Sequence, residues 1–360
     1  MSEVLAAVRI DEVLRLARAR GASDVHLCPN RPPALRIDGV LETQSTTPTH
    51  AREIENISTV LLGPTAIDRL ADTGDATGTF RDDRLGSFRV HAYRVHQGLA
   101  LAVRLLAQSV PTLESLHLPF AVDTFADKPT GLVIFSGPTG SGKSTAMAGL
   151  MDRVNRNHAK HILTIEDPIE YEHVAMRSTI GQREIGRDVS TFAEAIVGAL
   201  RSDPDVLLVG EMRDAGTMRA AVTAAETGHL VLTTLHTGDA PQTIDRIVNA
   251  FAGSMQEQIR VALAQTLVGV VCLRLVPRTC GGRRAAAEVL IATDAVRAII
   301  RDGKTHQLRN VIATGRQAGM HTLETHLSEL VMRGEITVES ARRHAERPVE
   351  VRVLERPAVA

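Results

Sequence analysis

Aromatic residues make up only 2% of this 360-residue chain: seven Phe, two Tyr and no Trp. Proteins that grip single-stranded nucleic acid need aromatic faces on which bases can stack, and few are on offer here. Net charge is nearly absent too, with 41 Lys and Arg against 42 Asp and Glu and a formal balance of -1. The basic footprint that drives DNA binding is therefore missing, and no nucleic-acid partner is expected. Cysteine is scarce: Cys28, Cys272 and Cys280 form no CxxC pair. That pattern argues against structural zinc and for a reducing compartment. Long apolar runs are lacking as well. The greasiest stretch, Val261 to Val276, is broken by Gln265, Thr266 and Arg274, short of the roughly 18 to 20 apolar residues a membrane span takes. The amphipathic pattern after Met1-Ser2-Glu3 is unlike a signal peptide, so the expectation is a soluble, intracellular protein.

What is present is an ordinary aliphatic core, with 44% hydrophobic residues in a chain long enough for two or three domains. Ile10, Val13, Leu14 and Ala17 follow helical spacing up to Gly21. Ser23 to Leu27 and Pro33 to Glu42 read as strands, the latter with a turn at Asp38-Gly39. Ser87 to Val95 and Leu99 to Leu105 read as a hairpin around Gln97-Gly98. These elements make residues 1–106 an α+β domain, and the Pro-bearing residues 107–120 a linker. From Gly131 the rhythm becomes strand, loop, helix, with apolar runs at Leu132 to Phe135, Ile162 to Ile165, Val206 to Val209 and Leu230 to Leu235. Short continuous apolar runs separated by helices predict an α/β domain over 121–292, its mostly parallel sheet covered on both faces. Residues 293–348 read as a helical C-terminal region, and no structure is assigned to the Pro-flanked tail 349–360.

The strongest chemical signal is Gly137-Pro138-Thr139-Gly140-Ser141-Gly142-Lys143-Ser144-Thr145. Its glycines let backbone N–H groups turn toward phosphate oxygens, Lys143 reaches the outer phosphates, and the Ser144 hydroxyl is placed to hold Mg²⁺. The loop follows a buried strand and opens a helix, whose N-terminal dipole adds positive potential. The expected ligands are ATP and Mg²⁺. Hydrolysis also needs a carboxylate to accept a proton from water, and Glu211 stands just past the apolar run Val206 to Val209. Its alternative role is to cap the following helix. Gly210 stands where many such ATPases carry a metal-linked Asp. Glu166-Asp167-Pro168-Ile169-Glu170 follows another strand, as part of the site or as a solvated turn. His229 and His236 bracket the run Leu230 to Leu235, either as structural histidines or as sensors of the γ-phosphate.

Taken together these motifs resemble the ATPases of type II secretion and type IV pili. Gly21-Ala22-Ser23-Asp24-Val25-His26-Leu27, the phosphate loop, the acidic box Ile162 to Tyr171, Val209-Gly210-Glu211-Met212-Arg213-Asp214, and the histidine box Thr227 to Thr237 carry the likeness over nearly the whole chain. A tetracysteine zinc element is missing. Ala295-Val296-Arg297-Ala298-Ile299-Ile300 and Gly319-Met320-His321-Thr322-Leu323 are similar to segments of the retraction branch. The resemblance implies a PAS-like N-terminal domain, a RecA-like P-loop ATPase core, and a homo-hexamer that hydrolyses ATP to drive pilus retraction and twitching motility. It implies a cytoplasmic motor, peripheral to the inner membrane at the pilus base, with an inner-membrane platform protein and a paralogous pilus motor as partners. It also implies arginines reaching the nucleotide from the N-terminal domain, and Arg89 and Arg104 match those positions. With the hairpin turning on Gln97-Gly98, His91 falls opposite Arg104, and Arg89 lies two residues along on the same face. In the implied mechanism Glu211 activates water, Glu170 supports the water or metal shell, and the linker is the hinge. The alternatives are a pilus-extension or type II secretion ATPase, a regulatory subunit that binds ATP beside another motor, and a nucleic-acid translocase.

Overall fold

A computed structural model describes residues 2–37, 39–43, 47–106 and 109–352. Asp38 of the predicted turn, Ala107 and Gln108 of the predicted linker, and residues 353–360 of the tail lie outside them. The chain divides into two compact units, Met1–Ser109 and Val110–Ala360.

The first unit is a six-stranded antiparallel sheet built from β1 (Asp24–Leu27), β2 (Ala34–Ile37), β3 (Val40–Thr43), β4 (Asp75–Asp82), β5 (Gly86–Val95) and β6 (Gly98–Leu105), in the order β3-β2-β1-β6-β5-β4. Alternation decides which face is buried. Phe88, Val90 and Ala92 of β5, Leu101 and Val103 of β6 and Val25 and Leu27 of β1 all point into one core with Leu14, Ile54 and Ile57 of the helices Ser2–Ala19 and Ala51–Leu62. The second of these helices, and Pro64–Thr73 after it, do not figure among the sequence-predicted elements. The opposite face carries Asp24, Arg104 and Arg89.

That face corrects the expected register. The β5–β6 hairpin turns one residue earlier, pairing Val95 with Gly98, so Arg89 stands directly opposite Arg104 and His91 opposite Ala102. The slip from expectation is two residues, so the arginines stay on one face.

The second unit is a seven-stranded sheet of β7 (Gly131–Ser136), β8 (His161–Glu166), β9 (Thr179–Glu184), β10 (Val206–Val209), β11 (Leu230–Leu235), β12 (Leu267–Pro277) and β13 (Arg283–Ile291), in the order β13-β12-β7-β11-β10-β8-β9. All pairs are parallel except β12–β13. Helices cover both faces. Leu132 and Ile134 join one core with Leu207, Val209 and Met218, while Val133 and Phe135 join the other with Leu150, Leu208 and Leu232. This is the α/β, mostly parallel RecA-like architecture expected from the apolar runs.

Two elements, β12 with the helix before it and the edge strand β9, were not assigned from the sequence, whereas the helical C-terminal region was. The greasy stretch from Val261 is the end of the helix Gly253–Thr266 followed by β12, which is paired on both sides. The polar β9 lies at the sheet edge. Past Ile291 the chain is a series of short helices, with Leu323, Leu327 and Leu330 packed against Val276 and Ala286. A 3-10 turn at Pro348–Glu350 begins the segment to which no structure was assigned.

Candidate nucleotide-hydrolysing site

In a parallel sheet the loops leaving the carboxyl ends of neighbouring strands share one edge, and ligands collect there. Here four such loops, after β7, β8, β10 and β11, line one cleft. It includes Gly140, Lys143 and Ser144 from the first, Glu166 and Glu170 from the second, Glu211 and Arg213 from the third, and His236 from the fourth.

The phosphate loop owes its shape to glycine. Gly137, Gly140 and Gly142 have φ of 139°, 76° and 92°, a region costly for other residues. A Cβ on Gly137 would collide with the Leu273 carbonyl and the Ser141 hydroxyl. The helix Lys143–Asn157 begins at once, with Gly142 as its N-cap. Lys143 is 7% exposed, and its ammonium donates to the carbonyls of Gly137 and Pro138, both at 2.9 Å. Burial lowers its pKa, opposed by the charges of Glu211 and Glu170. The buried Ser141 Oγ has no hydrogen-bond partner among the described residues. A concave, amide-lined loop with an orphaned hydroxyl and one ammonium fits a polyphosphate. Ser144 faces the same cleft, where its hydroxyl is suited to a hard cation.

Glu211 follows β10 by two residues, and its carboxylate is 13% exposed. One oxygen is held by Arg213, and the other lies 3.5 Å from His236 Nε2. The other imidazole nitrogen, Nδ1, is 3.4 Å from Lys143 Nζ. An ammonium can only donate, so Nδ1 accepts and Nε2–H faces Glu211. His236 thus bridges the phosphate lysine and the candidate base. Its loop is anchored to β7, with Thr237 N donating to Ser136 Oγ at 3.0 Å. Gly210 also has a reason for being glycine: a Cβ there would lie 3.3 Å from the Ile165 carbonyl and 3.4 Å from Glu166 Cα. An Asp at this position would press on β8.

Glu166 ends β8. Its Oε1 accepts from Thr164 at 2.7 Å and from Gln182 at 3.1 Å. Burial pushes its carboxyl up to about 7, with the charge of Glu170 adding to the effect.

His229 is not brought here. It precedes β11, seven residues before His236 at the other end of the strand, which at ~3.3 Å per residue sets the two roughly 23 Å apart. There its Nδ1 contacts the Ala224 carbonyl at 2.8 Å, at the end of the helix Ala215–Glu226. Arg89 and Arg104 belong to the first unit; Arg104 Nε donates to Asp24 at 3.0 Å. Thr234, Tyr171, Gln182 and Arg213 were not predicted as site residues. Thr234 donates to the Gly210 carbonyl at 2.6 Å. Tyr171, Arg213 and Thr234 lay inside motifs that could have flagged them, and Gln182 did not.

The family model described as type II/IV secretion system protein matches residues 3–356. The chain belongs to that family. Among its relatives is the "Type IV pilus retractation ATPase PilT" of Pseudomonas aeruginosa, 40% identical over 339 residues that span 94% of this chain and 98% of PilT. The "Twitching motility protein" of Neisseria gonorrhoeae is 40% identical over 315 residues, covering 87% and 84% of the two chains. A crystal structure of "the Pilus Retraction Motor PilT and Bound ADP" superimposes with a TM-score of 0.88 at 38% identity, covering 94% of this secretion ATPase and 97% of the other chain. This is a PilT-like ATPase. Among the described residues no helix is long and apolar enough to cross a membrane.

Proposed function

We propose that this chain is the ATP-driven motor of type IV pilus retraction, assembled as a ring of six. The observation that supports it most is the convergence of Lys143, His236 and Glu211 in one cleft, in a chain alignable with PilT over 94% of its length.

ATP enters with its phosphates over the loop 137–145. Lys143 exchanges the Gly137 and Pro138 carbonyls for β- and γ-phosphate oxygens, which satisfies its buried charge better than neutral acceptors do. Ser144 would hold Mg²⁺, which when bound neutralises charge on the phosphates. Glu211 accepts the proton of the attacking water, with Arg213 and His236 fixing its two oxygens. Glu170 supports the water or metal shell. Arg89 and Arg104 of the first unit are the proposed guanidinium donors to the charge that develops on the phosphates, a contribution of about 10³ to 10⁵ in rate for such donors. The reading places the ring in the cytoplasm against an inner-membrane platform protein, with a paralogous motor beside it. His229 stays outside the chemistry of this cleft.

The test is a gene deletion scored for surface pili and twitching. Retraction predicts surplus pili and no twitching, restored by the wild-type gene and not by Lys143→Ala. Bald cells would instead identify an extension motor.

A further inference from the structure

The edge strand β9 is polar, yet it is ordered against β8 over six residue pairs, from His161–Thr179 to Glu166–Glu184. Its side chains explain why. Gln182 and Glu184 are two apart and share a face. Both reach over the end of β8 to the loop that carries Glu170. Gln182 Nε2 donates to the Tyr171 carbonyl at 2.9 Å and to Glu166 Oε1 at 3.1 Å, and its Oε1 accepts from His173 N at 2.9 Å. Glu184 accepts from Ile169 N at 3.4 Å. The residues immediately before and after Glu170 are thus each bonded to β9, through Ile169 N and the Tyr171 carbonyl. The loop's other end is tied to the phosphate helix. The Tyr171 hydroxyl hydrogen-bonds the Thr145 hydroxyl at 2.9 Å, one residue beyond Ser144.

We infer that Gln182 and Tyr171 are positioning residues of the hydrolytic site, a buckle that sets Glu170 at a fixed place relative to Ser144 and Lys143. A loop side chain exposed at a cleft mouth would otherwise sample many positions, and catalysis by placed groups is steeply sensitive to displacements on the order of 1 Å. Gln182 suits the task because one planar amide supplies two donations and one acceptance. Gln182 is not among the residues that line the cleft, and Tyr171 lines it while holding the loop at both ends. Both act through Glu170, so the inference rests on the role proposed for Glu170 above.

The experiment compares full-length Gln182→Met, Tyr171→Phe and Glu170→Gln, and the double variant Gln182→Met/Glu170→Gln. Steady-state ATPase rates and binding of a fluorescent ATP analogue with magnesium are measured for each. Gln182→Met keeps the side-chain length and loses all three bonds; Tyr171→Phe keeps the ring and loses one. The expected result for Gln182→Met is a kcat loss of about ten-fold or more with analogue affinity within about two-fold of wild type. Tyr171→Phe shows a smaller loss of the same kind. The double variant turns over within about two-fold of Glu170→Gln alone, because a residue acting through Glu170 has nothing left to position.

Losses that multiply in the double variant would overturn the inference while leaving Glu170 its role. Wild-type turnover in Gln182→Met would do the same. Wild-type turnover in Glu170→Gln would remove the role of Glu170, and the inference with it. Should Gln182→Met fail to fold, Tyr171→Phe combined with Glu170→Gln is read by the same criterion.

Discussion

Arg89 stands directly across the β5–β6 ladder from Arg104. Two like charges on opposed residues destabilise a sheet by about 0.2 to 1 kcal/mol. Only one of the pair has an anionic neighbour in the same row, since Asp24 pairs with Arg104 and accepts its Nε–H. A row of guanidinium groups kept at a cost in stability is what an anion-binding face looks like.

Arg89→Gln is therefore expected to separate stability from activity. Thermal unfolding should stay level or rise slightly as the repulsion is relieved. ATP turnover should fall by about 10³ or more. Calorimetry and a coupled ATPase assay on the same preparation check both, and unchanged turnover would remove the arginine from the mechanism.

Gly210→Ala puts a methyl group against the Ile165 carbonyl and Glu166 Cα. Overpacking at a strand end costs about 1 to 3 kcal/mol, and the strain falls between two catalytic loops. The expected outcome is a denaturation midpoint lowered to that extent together with reduced turnover. Urea unfolding monitored by circular dichroism measures the first.

Glu288 predicts a pH effect away from the cleft. It is 3% exposed on β13 and accepts from Ala240 N at 2.8 Å at the start of the helix Ala240–Asn249. Burial pushes its carboxyl up to about 7, Asp239 and Glu346 adding to the rise and the Ala240 amide and Arg309 opposing it. The folded protein thus holds this proton more tightly than the unfolded chain. The resulting stability is complete below about pH 4.5 and is lost as pH rises toward 7. Glu288→Gln, which keeps the acceptor oxygen and cannot ionise, should be more stable than wild type at pH 8 by on the order of 2 kcal/mol. That advantage should vanish near pH 4.5. Melting curves of both proteins across pH 4.5 to about 8 test it, and parallel curves would contradict it.

Much of this architecture was legible beforehand because its signals are local. Continuous apolar runs fixed β7, β8, β10 and β11, and a glycine pattern between strand and helix fixed the phosphate loop. Glu211 was legible because it follows an apolar run. What failed was non-local or polar. The edge strand β9 offers no apolar run, since its sequence Thr-Ile-Gly-Gln-Arg-Glu is stabilised by pairing with β8 and by the loop it holds, so Gln182 went unseen. The hairpin register was set two residues away because the turn falls at His96-Gln97 instead of Gln97-Gly98. Proximity to a strand end suggested a site role for both His229 and His236; only the carboxyl end of a parallel strand faces this cleft, which leaves His229 at the opposite end of β11.

The most direct test of the account is a paired measurement on purified Glu211→Gln. The variant should bind a fluorescent ATP analogue with magnesium within about two-fold of wild type while its hydrolysis falls by about 10² to 10⁴. Hydrolysis at the wild-type rate with binding intact would contradict the assignment of Glu211 as the base.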